Sequence, residues 1–536
     1  MDEIRLRTEQ PIQGAERSLS ECLPTHRSAS ERLTFASETI GASRTHSADL
    51  GEVDRKLSNR INVSPVLGGR SLARQPHVEL DEYTSIVYNP KTEEFTYICK
   101  APPKKNLVIS GGGAKGGVIP GFIQASEDYH EIEGGESFRD QLEHLAGSSV
   151  GAISCALMAA GMPSQALVKA LGGVKFKSLL GKGLLLKDGR PLEEFIRLHL
   201  IESTTANLCH LCKKRSVEEL CWEAIPNKEK ITRDEFDTLI NGLTKSPFSL
   251  TFAMLDTLHR IDSKKFKKLT TTATCRETGQ TFYFDAKSTP HLDIATACRA
   301  SASLPIILKP VSIEKSLLAP GYAKEGCKGV LTFVDGGYLD NIPVGVFENK
   351  KEGFRGEAGQ NPQTLVLIFD EAKKPQHLQS PFFDHQTRKH ALYNSSNLLE
   401  RLIRDVFAKV FARIRTKERN TVKKEEGLHI VASNYTQGHI PFDIGDVKTN
   451  DFDKSERLQG KLYEKGYLQS LEYFSRHEGE LMATTFDSFE ELLTHVSLDE
   501  LLSRVPIEKR AKMVEEINAF RKKVEGRALD LPEFWK

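Results

Sequence analysis

The sequence predicts an α/β fold with a mainly parallel central sheet, followed by a helical C-terminal region. Two observations carry this. Short apolar runs alternate with stretches of helical apolar spacing, the pattern of parallel strands joined by crossover helices. Glycine-rich turns sit where a run gives way to a helical stretch, at Gly111–Gly116 and Gly147–Gly151.

Composition bounds the function. The chain has 536 residues, 39% hydrophobic and 27% charged, enough for more than one folded unit. The net charge of +1 gives no overall field that selects nucleic acid, so no nucleic-acid partner is expected. The nine cysteines are scattered and odd in number, which reads as reduced thiols in a cytosol-like compartment. Cys209-His210-Leu211-Cys212 with nearby Cys221 hints at zinc, but a second ligand pair at zinc-finger spacing is missing. No metal and no cofactor is expected. Met1–Glu38 lacks the apolar core of a signal peptide, and no apolar run is long enough to span a bilayer.

The elements follow in order. Residues 1–80 are rich in Ser, Arg and Glu and read as a disordered leader; a secretion signal is the sharper reading. Order is expected near Thr84, with a hairpin of Ser85–Tyr88 and Phe95–Ile98 around Asn89-Pro90. Asn106–Ile109 reads as a buried strand, followed by a glycine loop and helical spacing from Val118. A second strand ends at Leu145-Ala146, and the helix after it stops at Gly161-Met162-Pro163. Later strands are expected at Leu269–Cys275, Thr281–Phe284, Leu331–Val334 and Leu365–Phe369. Residues 202–246 look like a polar helical insertion or cap. After about 376 the strand signal thins and helical patterns run to Lys536.

Three motifs carry chemistry. Ser110-Gly111-Gly112-Gly113-Ala114-Lys115-Gly116 follows a strand and opens a helix, so its backbone N–H groups are free to approach an anion. For a dinucleotide loop, Glu131 and Glu133 lie at the right distance but in a polar stretch, His130–Ser137, with no strand, and a P-loop lacks Gly-Lys-Ser/Thr. An oxyanion hole remains, beside a plain tight turn. Gly147-Ser148-Ser149-Val150-Gly151 fits G-x-S-x-G between a strand and a small-residue helix, which puts Ser149 on a sharp turn with its hydroxyl presented. The pentapeptide alone is common.

A serine needs a base. None of the 16 histidines sits in a convincing motif; His144 and His291 read as surface or structural. Asp335, in Phe333-Val334-Asp335-Gly336-Gly337, ends an apolar strand, where open parallel sheets place their sites. A partly desolvated carboxylate there has a raised pKa and acts as a base. In isolation, an Asp-Gly turn explains the segment as well.

The order and spacing of these motifs resemble the patatin-like phospholipase family. Cys298-Arg299-Ala300-Ser301-Ala302-Ser303-Leu304-Pro305 is similar to the family's Arg-Ala-Ser segment, and Tyr338-Leu339-Asp340-Asn341-Ile342-Pro343 continues the acidic motif as the family does. Phe248–Leu255 and Leu269–Gly279 look like its middle strands. The resemblance covers about 104–375, and Thr449–Asp453 with Glu464–Tyr467 resembles the family's tail, taking the catalytic domain to about 475 within 81–475. It implies a three-layer fold, lipid acyl hydrolysis and a metal-free Ser–Asp dyad. On this basis Ser149 is the nucleophile, Asp335 the base, and Gly111, Gly112 and Gly113 the oxyanion hole. Lys115, Gly116, Gly147, Gly151, Gly336 and Gly337 support the motifs.

The layout is similar to the family's secreted bacterial cytotoxin branch, the ExoU type. That resemblance implies action in a host cytoplasm at membranes, with a phospholipid surface as partner and a host activator such as ubiquitin or a small GTPase. A neutral-lipid lipase or acyltransferase with the same dyad, a membrane-docking protein with a vestigial site, and a cytoplasmic location are the alternatives. Leu399, Leu402, Ile403, Val406, Phe407, Val410, Phe411 and Ile414 follow helical spacing among many cations, a basic amphipathic helix suited to anionic lipid or to packing on the domain. The region 476–536 carries a Ser497/Glu500 capping box and ends at Leu531, Phe534 and Trp535, a second candidate for membrane or partner binding.

Overall fold

The structure is a computed structural model that describes residues 76–81, 84–100, 102–132, 136–173, 175–183, 186–305, 307–319, 329–347, 363–370, 438–477, 481–503 and 505–526. The expected leader up to residue 75, the basic amphipathic helix at 399–414 and the apolar ending at Leu531–Trp535 lie outside the described residues.

Twelve strands form two sheets among the described residues: β1 His77–Asp81, β2 Thr84–Asn89, β3 Glu94–Lys100, β4 Asn106–Ile109, β5 His144–Gly147, β6 Lys268–Cys275, β7 Gln280–Phe284, β8 Val311–Glu314, β9 Val330–Asp335, β10 Thr364–Asp370, β11 His439–Asp443 and β12 Leu481–Phe486. The main helices are α1 Ile119–Ile132, α2 Val150–Ala159, α3 Arg190–Leu211, α4 Arg233–Thr244, α5 Phe252–Ile261, α6 Ile294–Ser301, α7 Gln459–His477, α8 Phe489–His495, α9 Leu498–Ser503 and α10 Arg510–Glu525.

The larger sheet has the order β11-β10-β4-β5-β6-β9-β8, with β7 also paired to β6. From β11 to β6 every pairing is parallel; β7, β8 and β9 are antiparallel additions. The apolar runs are continuous because both faces are covered. Leu107, Ile109, Leu145, Leu365 and Leu367 face the large core with helices α1, α2, α3 and α7. The alternate residues Val108, Ala146, Val366 and Ile368 face a smaller core closed by Ile342, Val344 and Phe347. The insertion at 202–246 is helical, but it is no detached cap: Leu208, Val217, Phe236 and Leu239 belong to the large core.

Four expectations are revised. Phe248–Leu255 is not a strand. Thr251 caps a helix there by accepting the Met254 N–H at 3.3 Å, and Phe252, Leu255 and Leu258 are spaced to bury one helical face. His77–Leu80, counted with the leader, pairs as β1 against β2. Strands β8 and β11, absent from the sequence reading, occupy the two ends of the larger sheet. The C-terminal region is helical apart from β12, which pairs antiparallel with β3 and joins α8, α9 and α10 to the N-terminal strands over one shared core. Within it Ser497 Oγ accepts the Glu500 N–H at 3.2 Å, one half of the expected capping box.

Candidate active site

Strands β4 and β5 end level with each other, Ile109 beside Gly147, and each opens into a functional loop. Beyond β5 the chain turns sharply at Ser149, whose φ of 54° and ψ of −122° are unfavourable for a residue with a Cβ. Close packing holds that turn. A Cβ on Gly151 would strike the Ile109 carbonyl oxygen, and one on Gly147 would meet the Gly151 backbone. Both glycines of G-x-S-x-G are therefore needed where the helix start crosses the ends of β4 and β5. The Ser149 N–H donates to Ser301 Oγ at 2.9 Å, which anchors the turn to the end of α6.

Asp335 reaches the same place from the opposite direction. The sequence reading put it at the carboxyl end of a parallel strand, but β9 runs antiparallel to β6 and pairs with Ala273–Cys275, the part of β6 that extends past β5. Strand β9 thus descends toward the carboxyl ends of the parallel strands and stops there. Gly336 then lies directly on Thr272.

The two side chains meet. Ser149 Oγ donates to Asp335 Oδ2 at 2.8 Å, and the Gly337 N–H donates to Oδ1 at 2.8 Å. Asp335 is 1% exposed and Ser149 4%. Burial raises the Asp335 pKa from 3.8 to about 7, against the lowering pull of the Ser149 and Gly337 hydrogen bonds. A carboxylate so placed has the basicity and the geometry to take a proton from a serine near neutral pH.

The glycine loop lies alongside. The Gly111 N–H donates to the Asn341 carbonyl at 3.2 Å, and the Ala114 N–H donates to Thr449 at 3.0 Å. Neither Gly112 nor Gly113 N–H has a backbone partner outside regular structure among the described residues. Gly113 has φ +55°, and a Cβ there would strike the Thr449 carbonyl. Lys115 is buried in the short helical turn Gly113–Val118, where its N–H donates to Gly112 O at 3.1 Å, and Gly116 packs against Val150. Ser455 Oγ donates to Ala114 O at 2.8 Å, so residues 449–455 buttress the loop.

Three residues shape the site without having been given roles from sequence. Ser301 holds the Ser149 amide and Asn341 holds Gly111. Arg299, 2% exposed, donates to the Asp188, Gly189 and Lys309 carbonyls and to Ser303 Oγ; burial lowers its pKa. Ser303 O in turn accepts the Asp335 N–H at 3.0 Å. All three stand in segments that the sequence already marked as similar to the family, but their partners lie far away in the chain. Asp340 stands apart from Ser149 and Asp335, accepting from Tyr283 OH at 2.7 Å. His144 bonds Thr270 Oγ1 at 2.9 Å, and burial lowers its pKa to about 4, so it is neutral and structural.

No curated protein sequence matches the chain. Among solved structures, ExoU of Pseudomonas aeruginosa in complex with SpcU is similar at 19% identity and a TM-score of 0.48, over 84% of this chain and 67% of that one. VipD of Legionella pneumophila is similar at 17% identity and a TM-score of 0.43, over 83% and 80%. Residues 107–348 match the family model described as Patatin-like phospholipase, which spans the glycine loop, Ser149, Asp335 and Asn341. Residues 107–348 are thus similar in sequence to the patatin-like phospholipase family.

Proposed function

We propose that this chain is a serine-dependent phospholipase A that cleaves fatty-acyl esters of membrane phospholipids with a Ser149–Asp335 dyad. The observation that carries the proposal is the 2.8 Å hydrogen bond from Ser149 Oγ to a buried carboxylate whose pKa is raised to about 7. Asp335 Oδ2 takes the hydroxyl proton as Oγ bonds to the acyl carbonyl carbon. The oxyanion that forms is held by N–H groups of the glycine loop, those of Gly112 and Gly113 having no competing backbone partner outside regular structure. Collapse breaks the ester C–O bond, and the lysophospholipid oxygen leaves with the proton from Asp335. Water, deprotonated by the same carboxylate, then attacks the acyl-enzyme and releases the fatty acid with Ser149 restored. Labelling with a fluorophosphonate probe tests the nucleophile. Modification of a peptide containing Ser149, lost in Ser149→Ala, is the expected result; labelling elsewhere with Ser149 untouched would refute it.

The proposal extends to place. Among the described residues no helix is long and apolar enough to cross a membrane. We propose action at host membranes after delivery into a host cell, with a host protein such as ubiquitin or a small GTPase as activator. Phospholipid vesicles assayed with and without eukaryotic cell extract test this. Activity that requires extract supports an activator, and full activity on vesicles alone removes the need for one.

A further inference from the structure

The two loops that meet at the reacting pair belong to distant parts of the chain, and one side chain joins them. Asn341 is 7% exposed. Its Nδ2 donates to Gly111 O at 3.0 Å, and its own carbonyl accepts the Gly111 N–H at 3.2 Å. Gly111 is therefore clasped on both sides of its Cα. The Asn341 side chain is wedged tightly: a Cβ on either Gly111 or Gly337 would strike its Oδ1. Gly337 is the residue whose N–H holds Asp335 Oδ1. A continuous path of contacts thus runs from the glycine loop through Asn341 and Gly337 to the base. The path is fixed from behind, where Asp340 accepts from Tyr283 OH at 2.7 Å and from Thr272 Oγ1 at 3.4 Å.

We infer that Asn341 is a positioning residue that sets the glycine loop against the base, and that Gly111 is its anchor rather than an oxyanion donor. The inference rests on the dyad proposed above and deepens it. An N–H already given to Asn341 O is poorly placed to meet a developing oxyanion, which leaves that task to the residues that follow Gly111. The amide suits the post for a second reason. It donates a hydrogen bond beside Asp335 without adding charge there. Aspartate at 341 has nearly the same shape, but once ionised it has no proton to donate to Gly111 O, and its negative charge opposes ionisation of Asp335. The charged residues on the elements paired with or packed on β9 are Lys268 on β6, Glu314 on β8 and Arg299 on α6, with Asp340 on the loop after β9. The causes of its raised pKa are burial, opposed by the Ser149 and Gly337 hydrogen bonds.

The test measures kcat per fluorophosphonate-titrated site, KM and the pH profile on phospholipid vesicles for Asn341→Ala and Asn341→Asp. Asn341→Ala should lower kcat per titrated site by about 10- to 100-fold with KM little changed, the mark of a misplaced transition-state contact. Asn341→Asp should lower kcat as well and move the acid limb of the profile upward by about one pH unit. A residue that merely fills space would reduce the number of titratable sites while leaving kcat per site and the pH midpoint where they were, and that result would overturn the inference. If Asn341→Ala does not fold, Asn341→Asp, of nearly equal volume, decides through its pH midpoint alone. Failure of the dyad is separately visible, as hydrolysis that survives Ser149→Ala.

Discussion

The larger sheet and the smaller one are held together on opposite terms. In the larger sheet the carboxyl edge of the parallel strands carries costs. Ser149 sits at a φ of 54°, and Asp335 is buried with no cation pulling its pKa down. Each is unfavourable for folding, and each would serve the acyl transfer proposed above. The smaller sheet, β1-β2-β3-β12 under α8, α9 and α10, shows the reverse. Phe95, Phe489 and Phe520 meet there with ring centroids 5.4 to 6.4 Å apart. Its buried cation is paired: Arg521 bonds Glu490 and Glu525 and lies 5.4 Å from the Phe489 ring. One region spends stability on reactivity, and the other secures the two ends of the described chain to each other.

Three perturbations sharpen this contrast. The largest effect on stability is expected for Phe489→Ala. Its side chain is fully buried, and its loss should cost about 4 kcal/mol. Hydrogen exchange followed by mass spectrometry should show faster exchange in residues 84–100 and 481–525 while the strands of the larger sheet stay protected. Equal loosening in both would mean that the two sheets unfold as one unit.

Asp335→Asn comes next and acts with the opposite sign. The folded pKa of about 7 lies above the ordinary carboxylate value of 3.8, so the protonated form is the one that folding favours. Its stabilising contribution is complete below pH 3.8, declines between there and about pH 7, and is gone above it. The variant, which never ionises, should therefore match the natural protein in acid and unfold at a higher temperature above pH 7, with the gap levelling off. A gap independent of pH would contradict the raised pKa.

The smallest effect belongs to Arg521→Ala, about 2 kcal/mol from lost charge-assisted hydrogen bonds and ring contact. It should be read in urea unfolding at low and high salt. Because the Arg521 side chain is only 6% exposed, salt should change the difference little.

The legible parts of the sequence were those whose chemistry is local. Gly147 and Gly151 mark the sharp turn because the motif lies within five consecutive residues, although the crowding at Gly151 comes from the Ile109 carbonyl of β4, and the apolar runs of β4, β5, β6 and β10 follow from burial on two faces. Strand β12 was illegible because its partner β3 lies nearly the whole described chain away. Phe248–Leu255 reads, by resemblance, as one of the family's middle strands, although Thr251 offers a cap and Phe252, Leu255 and Leu258 a helical face. At the site, the motifs singled out Ser149 and Asp335, which the fold brings to 2.8 Å, but not the antiparallel entry of β9 or the Asn341 clasp. Both depend on contacts between residues far apart in the chain.

The central claim is that Ser149 attacks and Asp335 takes its proton. The most direct measurement is fatty-acid release from phosphatidylcholine vesicles across roughly pH 5 to 9, with any required activator present, for the natural protein, Ser149→Ala and Asp335→Asn. The account predicts an acid limb with a midpoint near 7 for the natural protein, and losses on the order of 1,000-fold or more in both variants. Hydrolysis retained in either variant would contradict it.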